Sequence, residues 1–231
     1  MKNADGKHIL LRMVHAIQQN KGYLREIDGF IGGGDHATNM NMGFTMFGDR
    51  IRDKEVSFTG GLYDLGYLLF SKIGGGVGDV YGILFMSMAK AGRAFDEINL
   101  YTLAIMLNAG LNALQDIAQV RPGDKTLVDT LYPANKAIQR AAKEGKRLAD
   151  ALREMKTAAR AGRDSTRNMA AKFGYSRRLS GRLRGILDPG AVSCCIILCV
   201  IADSILEMES PSMRSFTSPQ YSPACPVRLS P

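Results

Sequence analysis

The chain contains no Trp, and aromatic residues make up only 7% of its 231 residues. Sheets use aromatic and β-branched side chains to pack their pleated faces. Their shortage argues against a β-sandwich and for helices built from the plentiful Ala, Leu, Met and Gly. Cysteine is scarce too, with four residues in all. That excludes a small disulfide-held scaffold, and no Cys/His spacing suggests zinc. Cys194, Cys195 and Cys199 fall inside one apolar run, Ala191 to Ala202, where thiols are buried and inert. The run is about 12 residues long and stops at Asp203, short of the roughly 20 a membrane span needs. The N-terminus, MKNADGKHILLRMVHAI, lacks a long apolar core followed by a small-residue cleavage site. These absences point to a cytoplasmic protein with reduced thiols and no membrane contact.

What is present describes a globular protein. Hydrophobic residues at 45% and charged residues at 23% supply a real core and exclude a wholly disordered chain. The net charge of +8 is unevenly placed: between Arg140 and Asp188, 14 Lys/Arg face 5 Asp/Glu, while the rest holds 16 against 17. A uniform coat for nucleic acid would not look like this. The plain reading of the basic segment is a solvated helix face; the sharper one is a surface facing phosphate or an acidic partner. With no aromatic interleaving and no recognition motif, nucleic acid is not an expected partner.

Apolar residues recur at helical spacing almost throughout. Ile9, Leu10, Met13, Val14 and Ile17 form one stripe, and Leu62, Leu65, Leu68, Leu69 and Ile73 another. A long third runs from Leu100 to Ile117, and Ala149, Leu152, Met155, Ala159 and Gly162 suit a narrow, closely packed seam. No run alternates with period two. The stripes are separated by Gly32–Gly34, Gly74–Gly76, Arg121–Asp124 and Asp188–Gly190. The pattern predicts seven or eight helices in one all-α domain over residues 1–208. Residues 209–231 differ: five of the chain's eight prolines and six serines lie there. Such a composition cannot bury enough surface to offset its ordering entropy, so it reads as a disordered tail.

The chemistry lies in the breaks. In Ile27–Met40 (IDGFIGGGDHATNM), glycines let backbone amides approach an anion, and Thr38 and Asn39 are expected to open a helix with a positive N-terminal dipole. Asp28 and Asp35 flank the loop; hard oxygens beside a phosphate cradle suit Mg²⁺–nucleotide, although a glycine-rich turn capped by Asp would read the same. Three further segments follow: Gly74–Gly82 (GGGVGDVYG), Pro122–Asp129 (PGDKTLVD), and Arg182 with Leu187–Ala191 (LDPGA). Together, in this order and spacing from about residue 5 to 207, they resemble the nucleotide-binding (L) subunit of dihydroxyacetone kinases, whose patterns run roughly IGDGDHGTNM, GGxSGxLYG, GDKTMxD and GERSxGxxDPGA.

The resemblance implies an antiparallel eight-helix barrel that binds ADP or ATP with Mg²⁺ in the loops at one end. By position, Asp28 and Asp35 match metal-binding aspartates, and His36, Ala37, Thr38 and Asn39 match the phosphate loop. Gly75, Gly76, Val77 and Gly78 match a second cradle. Leu127 stands where a Met packs near the base, and Asp188, Pro189 and Gly190 line the adenine. Arg182, closing over the phosphates, and His36, as a phosphate hydrogen-bond donor, are the catalytic candidates. The departures are Gly33 for the family's middle aspartate, Val77 for a Ser, Ala37 for a Gly, and YSRRLSGRL at 175–183 for RASYLGERS. The implied mechanism is electrostatic, with no covalent nucleophile on this chain. The implied partner is a K-type subunit that holds the keto-sugar on a His; the phosphoryl source is ATP or a phosphotransferase-system protein, and a homodimer stays open. The alternative is a binding-only paralogue, weakened at Gly33, that regulates such a partner.

Overall fold

The computed structural model describes residues 1–31, 35–172 and 184–209. Gly33, Arg182, the 175–183 stretch and the 210–231 tail therefore lie outside the described residues. Within them the chain is all-α, and a single isolated bridge, Lys2 with Glu97, is its only extended pairing there. The helices are α1 (Lys7–Gln19), α2 (Lys21–Ile31), α3 (Asp35–Ile51), α4 (Phe58–Leu68), α5 (Gly75–Gly92), α6 (Leu100–Asp116), α7 (Val128–Lys143), α8 (Leu148–Ser165) and α9 (Pro189–Glu209). That is nine among the described residues where periodicity predicted seven or eight. The difference comes from α1 and α2, which meet at Asn20 without a proline or glycine run; the Asn20 amide and side chain both bond back to the Ala16 carbonyl.

The predicted stripes are the buried faces. Ile9, Leu10, Met13, Val14 and Ile17 of α1 are buried, as are Leu62, Leu65, Leu68 and Leu69 in and just after α4. Helix α3 packs on α4, α4 on α5, and so on to α9, which returns to α1, itself packed on α3. The neighbour order thus closes on itself, consistent with a barrel of eight helices, with α2 set against α1, α3 and α9. Small residues allow close approach along this ring. A Cβ on Gly162 of α8 would lie 2.3 Å from the Asp129 carbonyl of α7, and one on Gly78 would lie 2.5 Å from the Leu69 carbonyl. The narrow seam predicted for α8 is this contact.

Helix α9 runs well past the apolar stretch seen in the sequence. At 21 residues it is long and apolar enough, by length and composition, to cross a membrane. Asp203 does not end it, because its carboxylate pairs with Lys156 of α8, and the Ser204 hydroxyl donates to the Val200 carbonyl at 2.7 Å. Most of its apolar window is buried, in contact with α1, α7 and α8, so it serves as a core helix of the bundle.

Candidate functional site

Helix α3 begins at Asp35, three residues before the expected start at Thr38. The cause is Asp28 on α2. Its buried carboxylate Oδ2 accepts from the Ala37 amide at 3.0 Å, satisfying a first-turn donor that would otherwise be orphaned. Burial pushes the Asp28 carboxyl upward; the Ala37 and His36 amides pull it back, and the charge of exposed Asp35 raises it again. The opening of α9 is built the same way: the Asp188 carboxylate Oδ2 accepts from the Ala191 amide at 2.7 Å. Asp188 is buried beside Asp129, and burial pushes its carboxyl up to about 7, with Lys125 opposing.

The two helix starts meet. His36 Nε2 lies 2.9 Å from the Ser193 hydroxyl of α9, and the Tyr81 hydroxyl of α5 lies 2.6 Å from the same oxygen. Ser193 also reaches the Pro189 and Gly190 carbonyls at 3.0 and 3.1 Å, and Tyr81 donates to Gly190 at 3.1 Å. The enclosed imidazole has its pKa lowered to about 4 by burial, so it is neutral at physiological pH. A neutral ring has one N–H, which makes His36 a hydrogen-bond partner rather than a cation.

The start of α7 joins the same end. Thr130 donates to the Ala191 carbonyl at 2.9 Å, and Gly190 abuts Leu127, whose backbone nitrogen lies 3.4 Å from where a Gly190 Cβ would be. Asp129 accepts from the Gly123 and Thr126 amides at 2.5 and 2.7 Å and so folds the loop before the helix. Lys125, held at φ +61° and buried, donates to the carbonyls of Thr166 and Ile186 at 2.8 and 2.7 Å. It thereby ties this loop to the segments after α8 and before α9.

Of the sequence candidates, Asp28, Asp35, His36, Ala37, Leu127, Asp188, Pro189 and Gly190 come together at this end. Thr38 and Asn39 follow in the first turns of α3. Gly75 and Gly76 are exposed where α5 begins, and Tyr81 connects their helix to the site. Val77 and Gly78 face inward: the Val77 side chain is in the core, and Gly78 serves the contact with Leu69. Only the backbone of that turn is left to meet a ligand. Arg182 lies outside the described residues. Sequence reasoning assigned no role to Tyr81, Ser193 or Lys125; Ser193 was hidden inside an apolar run, its polar side chain the one available signal.

Mg²⁺ takes hard oxygen ligands. Asp28 and Asp35 are hard ligands near enough for one charge to raise the pKa of the other, which a cation between them would relieve. No group of three His, Cys, Asp or Glu side chains that could hold a metal occurs among the described residues. As hard oxygen donors the two carboxylates suit one divalent ion, whose remaining oxygens would have to come from elsewhere.

Residues 30–203 match the model of the DAK2 domain. This chain belongs to the DAK2 domain family. The ADP-binding subunit DhaL of the PEP-dependent dihydroxyacetone kinase of Escherichia coli (strain K12) is 31% identical over 183 residues, covering 78% of this chain and 86% of that one. The ADP-binding subunit DhaL of PEP-dependent dihydroxyacetone kinase 2 of Listeria innocua is 30% identical over 209 residues, 89% of this chain and 96% of that one. The crystal structure of the C. freundii dihydroxyacetone kinase in complex with AMP-PNP and Mg²⁺ superposes with a TM-score of 0.68 at 19% identity. It covers 88% of this DAK2 chain, which spans 34% of that longer chain; the likeness establishes the shared fold.

Proposed function

We propose that this chain is the nucleotide-binding subunit of a kinase for dihydroxyacetone or a related short keto-sugar, acting on substrate held by a separate K-type subunit. The observation that carries this reading is the convergence of the starts of α3, α7 and α9 on the Ser193 and Gly190 junction. Three helix N-termini aimed at one end turn their positive dipole ends toward an anion. The relatives named as ADP-binding subunits, and the structural neighbour solved with AMP-PNP and Mg²⁺, support a nucleotide as that anion.

The residues divide the work. Asp28 and Asp35 would hold Mg²⁺, which when bound would neutralise phosphate charge. Thr38 and Asn39 at the start of α3, with the backbone amides of the Gly75–Gly76 turn, donate to the phosphates. Leu127, Asp188, Pro189 and Gly190 flank the base. His36, neutral, donates a hydrogen bond toward the phosphates from Nδ1 while its Nε2 accepts from Ser193, and the resemblance alone assigns Arg182 to the phosphates. Positioning and electrostatic stabilisation then supply the catalysis. The phosphoryl donor is ATP, or a phosphotransferase-system protein acting on resident ADP.

Gly33 and the buried Val77 favour a second reading, a binding-only paralogue that regulates a K-type partner. Phosphorylation of dihydroxyacetone by the chain mixed with a K-type subunit and each phosphoryl donor tests both. Product formation above that of the K subunit alone supports the kinase; nucleotide binding without product supports the paralogue.

A further inference from the structure

A cavity of about 510 Å³ lies between α6 and α7, outside the nucleotide end. That volume is within the range of small-molecule sites. Its walls are two facing stripes. On α6, Asn108, Asn112 and Gln115 recur at helical spacing; on α7, Lys136, Arg140 and Lys143 do the same, between Tyr132 and two more amides. No carboxylate lines it. A merely solvated pair of helix faces mixes both signs of charge, whereas this one offers amides and cations only.

The lining is partly preorganised. Asn135 is 3% exposed and donates through Nδ2 to Asn108 Oδ1 at 3.1 Å, and Gln139 donates to the Ala104 carbonyl at 2.7 Å. Lys136 stands 5.5 Å over the Tyr132 ring. Arg140 is shared with Glu154 at 3.2 Å, so Lys136 and Lys143 carry the charge that faces an incoming anion. Amides donate to and accept from hydroxyls, while ammonium groups meet phosphate oxygens. Lys136 and Lys143 lie roughly 13 and 24 Å along α7 from Leu127, at 1.5 Å per residue.

We propose that this groove is a second ligand site, for a small hydroxylated phosphate ester of sugar-phosphate size. The proposal stands independently of the nucleotide reading. Calorimetric titration of the full chain with ribose 5-phosphate, glycerol 3-phosphate and fructose 1,6-bisphosphate, each with and without saturating ADP, tests it. The expected result is binding of at least one ester with a Kd below about 1 mM, unchanged by ADP. The Lys136→Gln/Lys143→Gln double variant should weaken it by about tenfold or more, the loss expected for hydrogen bonds to charged groups, and Asn112→Leu should weaken it too. Inorganic phosphate should bind at least about tenfold more weakly, since once its oxygens meet the lysines it has no sugar hydroxyls left to pair with the amides. The proposal is overturned by binding of none of the three esters, by equal binding of inorganic phosphate, by unchanged affinity in the variants, or by displacement with ADP.

Discussion

The imidazole of His36 and the hydroxyl of Ser193 lie 2.9 Å apart across 157 residues of sequence. That contact, with Tyr81 on the same oxygen, joins the starts of α3 and α9 to α5. Ser193→Ala removes the shared partner of the buried Tyr81 hydroxyl and the half-buried His36 imidazole. It should lower unfolding free energy by roughly 1–3 kcal/mol and weaken ADP binding severalfold. Urea denaturation and calorimetry read the two effects; wild-type values in both would mean that Ser193 does not join these helices.

Two glycines of the second loop should separate by role. A Cβ at Gly78 would lie 2.5 Å from a backbone carbonyl, so Gly78→Ala should cost about 1–3 kcal/mol of stability. At Gly76 nothing lies within 4 Å, so Gly76→Ala should fold as stably as wild type. If the phosphates approach this turn closely, Gly76→Ala nevertheless binds ADP more weakly. Thermal melts with and without ADP decide both points.

Asp188 makes stability depend on pH in a defined direction. Its folded pKa, about 7, is raised above the usual carboxylate value of 3.8. Between those values the folded chain retains a proton that the unfolded chain has released, so this residue's contribution to stability falls as pH rises from about 4 to 7 and levels off above. The slope is at most about 1.4 kcal/mol per pH unit. Asp188→Asn, which retains an acceptor for the Ala191 amide, should flatten that segment of the stability profile. A slope unchanged by the substitution would assign the proton elsewhere.

Gly33→Asp returns a carboxylate to the position where the resemblance implies one. It should tighten Mg²⁺-dependent nucleotide binding and raise turnover with a K-type subunit by roughly tenfold or more, since even indirect changes at metal sites cost about that much. Full turnover by the natural chain, with none gained by Gly33→Asp, would contradict this view of the metal site.

Most of the fold was legible because core helices advertise themselves at 3.6-residue spacing, and Leu10, Met13, Ile17, Leu62 and Leu65 are all fully buried. The α1–α2 boundary was not, since the break is the backbone of Asn20 itself, at φ −90° and ψ 6° with its side chain capping the Ala16 carbonyl, rather than a proline or glycine. The site motifs were legible from loop chemistry and order. The start of α3 was misplaced because its cap, Asp28, comes from the preceding helix rather than the residue before it. Tyr81, Ser193 and Lys125 act through contacts between distant segments, which no local pattern encodes.

The most direct measurement is calorimetric titration of ADP into the chain, with and without Mg²⁺, for wild type and Asp28→Asn. Asn retains an oxygen to accept from the Ala37 amide, so the helix cap and the melting temperature should be nearly preserved while the metal-binding charge is lost. The account predicts that wild type binds ADP more tightly with Mg²⁺ and that Asp28→Asn loses about tenfold or more of that Mg²⁺-dependent gain. ADP affinity indifferent to Mg²⁺, or an Asp28→Asn variant whose Mg²⁺-dependent affinity matches wild type, would contradict it.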